Sequence, residues 1–211
     1  MNTSADQQEV VQQFRDKLIQ AQKQLSEEAC SAAEFKQFNT FIGLLHDNAV
    51  PADLVTLEPA ELKTLCLQIL ARIRQRQKPL DVHYFPINRQ DQGILVCSCT
   101  EAPFLLDSLL LLLRRERLCW QLITHLRLKI TRSATDIIAL EDAKLEQANE
   151  SLLIVQSEGA AGTEEILDKI RQMLAAVLQV EKDRDALHET MKQLQLQADK
   201  VGHGSFWNWL L

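Results

Sequence analysis

Apolar residues along the chain follow more than one rhythm. Val10, Val11, Phe14, Leu18, Ile19, Ala21 and Leu25 return mainly every three or four positions, as on an amphipathic helix. A second helix is predicted from Ser31 or Ala32 to about Asp47, with Phe35, Phe38, Phe41, Ile42 and Leu45 as its stripe. Pro51 closes that segment, because the residue before a proline is pushed out of the helical region. Glu58-Pro59 reads as a third helix start, with proline in the first turn and Glu61 near the positive end. Leu62, Leu65, Cys66, Ile69, Leu70 and Ile73 follow at helical spacing. Arg72, Arg74, Arg76 and Lys78 crowd the negative end, and Pro79 stops the helix.

Beyond Pro79 the period changes to two. Val82 and Tyr84, then Ile94, Val96 and Ser98, alternate as strands do, and Gln90-Asp-Gln92-Gly93 supplies a turn between them. A leucine-rich helix is predicted from Pro103 to about Arg117. Leu109 to Leu113 puts leucine on every side of it, so one side should cover the sheet and the rest should meet the N-terminal helices or another chain. Leu122, Thr124, Leu126, Leu128 and Ile130 then share one face of a strand, opposite Gln121, Ile123, His125, Arg127, Lys129 and Thr131. Thr135 to Leu140 should pair with it, and Ser151 to Gln156 is a further apolar strand.

Gly159-Ala-Ala-Gly162 is a linker of small residues, and Thr163 is placed to cap the last helix. That helix carries Ile166, Ile170, Met173, Leu174, Val177 and Leu178 and runs on to about Val201, with a break expected near Glu181 to Arg184. Phe206 to Leu211 reads as the start of a following segment cut in mid-helix. The division expected is residues 1–79 as a helical N-terminal segment, 80–201 as an α+β domain with a long final helix, and 202–211 as that following segment. The order ββαββα, two helices against a mainly antiparallel sheet, belongs with the split βαβ, ferredoxin-like arrangement.

Composition removes several classes of function. Gly 6 and Pro 5 make 11 of 211 residues, about half the average share, which argues against an all-β sandwich or barrel. The net charge of −6 lacks the footprint of a nucleic-acid binder. The longest apolar run, Phe104 to Leu113, is interrupted by Asp107 and Ser108, whereas a membrane span needs roughly 20 apolar residues. With no signal peptide at Met1 to Gln13, a soluble, cytoplasmic protein is expected. The five cysteines form no CxxC, so buried reduced thiols are expected rather than a metal site. No catalytic constellation occurs. The six glycines fit neither GxGxxG nor GxxxxGK, and neither Gly-x-Ser-x-Gly nor His-Glu-x-x-His is present.

The junction Cys99-Thr-Glu101-Ala102-Pro103-Phe104-Leu105-Leu106 resembles that of ACT domains, where an acidic residue and a proline precede an apolar helix. A longer set is more specific. Pro103-Phe-Leu-Leu-Asp107-Ser108, then His125, Arg132 and Glu150-Ser151, is similar in order and spacing to the N-terminal ACT-like region of the large NAD-specific glutamate dehydrogenases. The stretch Gln77-Lys78-Pro79 to Val82-His-Tyr-Phe85-Pro86 also fits that family. Glu101 replaces its usual Asp, and Leu126 stands where its Pro follows the His.

The resemblance implies a non-catalytic regulatory and assembly domain of such an enzyme. The parent reaction would be oxidative deamination of L-glutamate to 2-oxoglutarate with NAD, the cofactor lying elsewhere in the parent chain. The implied partners are other domains of that chain, a homo-oligomer and an amino-acid effector. An effector's carboxylate would sit at the free N–H groups around Ala102 to Leu105, a stretch that includes Pro103 and Phe104, at the positive helix end, with Asp107 near its ammonium and Ser108 as a further candidate site residue. The structural alternative is that Pro103 only starts the helix, while Asp107 and Ser108 satisfy backbone donors or face a neighbouring domain. It outweighs the ligand reading, because Phe104 stands where such sites prefer Gly and should crowd the backbone. His125 is expected at the surface or between domains. The rival readings of the whole chain are an independent helix-rich interaction scaffold and a free-standing amino-acid sensor.

Overall fold

The computed structural model describes residues 4–26, 31–48, 57–87, 92–133, 137–143, 147–158 and 162–200. Three N-terminal helices, α1 (Ser4–Ser26), α2 (Ala32–Asn48) and α3 (Pro59–Gln75), precede the sheet. Two of them begin on reciprocal caps. The Ser31 amide donates to the Glu34 carboxylate while the Glu34 amide donates to Ser31 Oγ, and Glu58 with Glu61 repeats the arrangement ahead of Pro59. Each cap satisfies donors that a helix start leaves without intrahelical partners.

Then come β1 (Leu80–Ile87), β2 (Gln92–Thr100), α4 (Leu105–Arg115), β3 (Trp120–Arg132), β4 (Ile137–Asp142), β5 (Glu150–Glu158) and α5 (Glu164–Lys200). The sheet is antiparallel at every pairing, in the order β1-β2-β5-β3-β4. Because β2 and β3 both run antiparallel to β5 between them, β2-α4-β3 is a split βαβ unit. In the β-α-β-β-α-β version of this fold, the place beside the first strand belongs to a strand that follows the second helix. Here β1 holds that place, from ahead of the unit. Therefore α5 need not lead back into the sheet, and it extends for 37 residues.

The sheet is covered on both faces. One face carries α4 and α5: Leu95, Cys97, Cys99, Leu153 and Val155 pack against Leu105, Leu109, Leu113, Ile166, Ile170 and Leu174. The other carries α1 to α3: Ile94, Val96, Leu126, Leu128, Ile130, Leu152 and Ile154 pack with Phe14, Phe38, Phe41, Leu62, Ile69 and Ile73. This explains why β2 is buried from Gly93 to Cys99 instead of alternating. It also corrects the expectation for the leucine helix. The N-terminal helices lie across the sheet from α4, and Leu111 is exposed.

Three further expectations change. The alternation of β3 breaks at an irregularity between Leu122 and Thr124, where the register against β5 slips by one residue. Ile123 consequently joins the core with Leu126, Leu128 and Ile130, whereas Trp120 packs on the α4–α5 side. No break interrupts α5 near Glu181 to Arg184; pairs such as Gln179–Asp183 and Glu181–Arg184 span that stretch at helical spacing, and it contains neither Gly nor Pro. Gly162 does more than link, since the Tyr84 ring lies against both Gly93 and Gly162, where a Cβ on either would overlap it. Cys66, Cys97 and Cys99 are free and buried as expected, but Cys119 is exposed; Cys30 and residues 202–211 lie outside the described residues. Burial pushes the Cys66 and Cys99 thiols up to about 12 and the Cys97 thiol well up. No helix among the described residues is long and apolar enough to cross a membrane.

Candidate functional site

The sequence-predicted site residues fall into three groups. The first is the start of α4. Ala102 and Leu105 are core residues, Pro103 and Asp107 are exposed, and Ser108 is half-buried, its amide bonded to the Phe104 carbonyl at 2.9 Å. Phe104 adopts φ 64°, the left-handed region, directly before the helix. A glycine would take that conformation without cost, and a phenylalanine there is strained. Phe104 is 72% exposed.

The second group forms under that turn, on the α4–α5 face. Ser151, which is fully buried, donates its hydroxyl proton to the Glu101 carboxylate. Glu101 also accepts from Arg127 Nε at 3.3 Å, and His125 Nε2 lies 3.0 Å from Ser151 Oγ. Pairing explains the gathering: Leu152 sits across from Leu126, hence Ser151 from Arg127 and Leu153 from His125. His125 is thus half-buried and hydrogen-bonded, not a surface residue. Burial first, and Arg127 second, lower its pKa, while Glu101 and Asp107 act in the opposite direction.

Serine, histidine and glutamate are the residue types of a hydrolytic triad, but their order here is wrong for one. A hydroxyl has one proton. Since Ser151 gives it to Glu101, the contact with His125 is satisfied by Nε2–H donating to the serine oxygen. In a triad the imidazole accepts the serine proton and the acid holds the far side of the ring. Ser151 is also out of reach of solvent. The cluster is a closed polar network between β2, β3 and β5, without an activated nucleophile.

Arg132 and Glu150 form the third group, on the opposite face. Glu150 pairs with both Arg132 and Arg76, the latter at 2.6 Å, and the Arg76 and Glu150 side chains are only 7% and 6% exposed. Arg132 also donates to the Ile73 carbonyl at 3.0 Å, capping the end of α3 from the end of β3. Burial lowers the pKa of both arginines. The five motif positions therefore do not form one site. Glu101, His125 and Ser151 meet on one face, and Arg132 and Glu150 meet on the other.

Sequence reasoning missed Arg127, Arg76 and Asn149. Arg127 had a signal, being two residues from His125 on the same strand face. Arg76 read only as part of a basic helix end. Asn149 gave none. Its side-chain amide bonds both the N–H and the C=O of Ile130 at 2.8 Å, imitating one more residue of strand where β5 begins.

Beside the first two groups lies a half-open groove of about 560 Å³, between the end of β2 and the middle of α5. Its floor includes Leu80, Ala102 and Leu178, and Lys78, Glu101 and Lys182 put charges of both signs on its walls. An apolar floor with charges of both signs suits a small zwitterion. Among the described residues there is no group of three His, Cys, Asp or Glu that could hold a metal ion.

A split βαβ core with its polar junction at the first strand–helix turn defines an ACT-type α+β domain. The model of the glutamate dehydrogenase ACT1 domain matches residues 41–195, starting inside α2 and taking in the whole sheet. The chain belongs to that family. No curated protein and no solved structure matches it.

Proposed function

We propose that this chain is a non-catalytic regulatory and assembly domain of a large NAD-dependent glutamate dehydrogenase. The parent enzyme oxidatively deaminates L-glutamate to 2-oxoglutarate in the cytoplasm, with NAD bound by other domains. Family membership supports the enzyme class. The observation that carries the non-catalytic role is the closed network itself: the acid, hydroxyl and imidazole nearest the turn bond to one another, leaving no activated group. The purified chain should reduce no NAD in the presence of glutamate. Turnover that survives repurification and disappears in a Ser151→Ala variant refutes the reading.

The groove beside Glu101, with its apolar floor and charges of both signs, favours a second role, binding of an amino-acid effector. A thermal-shift screen of the common amino acids tests it. An effector held in the groove loses its shift in Lys182→Ala, whereas one held at the α4 amides loses it in Asp107→Ala. A flat screen leaves docking and assembly as the domain's contribution.

A further inference from the structure

The last core contacts of α5 are made near Val177 and Leu178, yet the helix continues to Lys200. In proteins most of a helix's stability comes from packing an apolar face, and beyond Leu178 this one has left the core. The extension carries such a face. Ile166, Ile170, Met173, Val177, Val180, Arg184, Leu187, Met191 and Leu194 follow one another at alternating steps of four and three, the heptad rhythm of a coiled-coil seam. The first members bury themselves against the sheet. Val180, Leu187 and Leu194 are instead 69%, 59% and 42% exposed.

We propose that the seam from Val177 to Leu194 pairs, antiparallel, with the same seam of a second copy of this chain. The choice of occupant and direction comes from Arg184, the one charged residue in the seam. A parallel pair would set Arg184 against Arg184 of the second copy, two like charges in a closing interface. An antiparallel pair centred between residues 185 and 186 sets Arg184 against Leu187, where the long side chain can run along the leucine while its head keeps its ion pair with Glu181 of its own helix. The same centre sets Val180 against Met191 and Val177 against Leu194, so the apolar positions map onto themselves. The flanks complement each other as well: Glu181 falls beside His188 of the second copy, and by symmetry this happens twice. An unrelated helix need not match a stripe that is self-complementary about its own midpoint. The pairing holds irrespective of the parent reaction.

Sedimentation of the whole chain over a wide concentration range tests the pairing. A reversible dimer is expected, lost in Leu187→Glu, tightened in Arg184→Leu and unchanged in Leu111→Glu, the exposed leucine of α4. Leu187 is far from the core, so the variant should keep the wild-type melting temperature of the sheet domain. Direction is read by spin labels on Lys192→Cys in a Cys30→Ser, Cys119→Ser background. Antiparallel pairing places the two labels about 20 Å apart along the axis, and parallel pairing places them side by side. A strict monomer, or a dimer that survives Leu187→Glu, overturns the proposal, and a short label distance overturns its antiparallel geometry.

Discussion

Neutralising Glu150 is the most demanding test of how the helical layer is joined to the sheet. Two arginines, Arg76 and Arg132, share this one carboxylate in a place where Arg76 and Glu150 are almost fully removed from water. Glu150→Gln keeps the shape and removes the charge, leaving two guanidinium groups without the carboxylate they share, with only Asp81 acting on Arg76 from further off. Removing one partner from a buried ion pair costs about 3–5 kcal/mol, mainly as the penalty for the charge left behind. For a chain of this size, each kcal/mol lowers the melting temperature by about 2–4 °C, so a fall of about 6–20 °C is expected. Arg76→Met should cost less, because it leaves Arg132 and Glu150 as a one-to-one pair. Glu165→Gln, which touches an exposed pair on α5, should leave the melting temperature unchanged. Calorimetry or urea denaturation followed by circular dichroism measures all three. If Glu150→Gln melts with Glu165→Gln, the buried pair does not join the layers as argued.

Other outcomes follow from the same structure. His83 and His125 both have pKa values lowered by burial and by a neighbouring arginine, Arg72 and Arg127 respectively. A lowered histidine pKa means that the unfolded chain takes up the proton first, so stability is full above the ordinary value of 6.5 and falls as the pH drops below it. Urea midpoints at mildly acid and neutral pH should show that loss, and the double change His83→Gln with His125→Gln should flatten it. In the folded protein, iodoacetamide followed by peptide mapping should label exposed Cys119 and spare Cys66, Cys97 and Cys99, whose thiols are buried and held protonated; labelling of Cys97 under native conditions would contradict the packing of β2. Gly162→Ala should destabilise the domain by about 1–3 kcal/mol through overlap with the Tyr84 ring, and Tyr84→Leu should relieve most of that loss in a double-mutant cycle.

The sequence determined what local rules govern. Glu58-Pro59 with Glu61 announced a helix start, the spacing from Leu62 to Ile73 announced its buried side, and alternation announced the strands. The order of elements gave the α+β class, although three strands and not two lie between α4 and α5, and the spacing from Pro103 to Ser151 gave the family. Periodicity names the face of an element that will be buried, but it does not name what buries it. The same stripes on α1 to α3 could have packed against α4, and only the assembled sheet puts them on its other side. Local pattern also failed at the β3 irregularity, because an extra residue is invisible until the partner strand fixes the register. Arg76 looked like its neighbours Arg72 and Arg74 along the chain, and its burial against Glu150 depends on a contact 74 positions away. The residue type of Phe104 was legible in the sequence, and its left-handed backbone was not. The closed network of Glu101, Ser151, His125 and Arg127 arises from strand pairing across three elements, so its residues could be read from the sequence while their partners came only from the folded sheet.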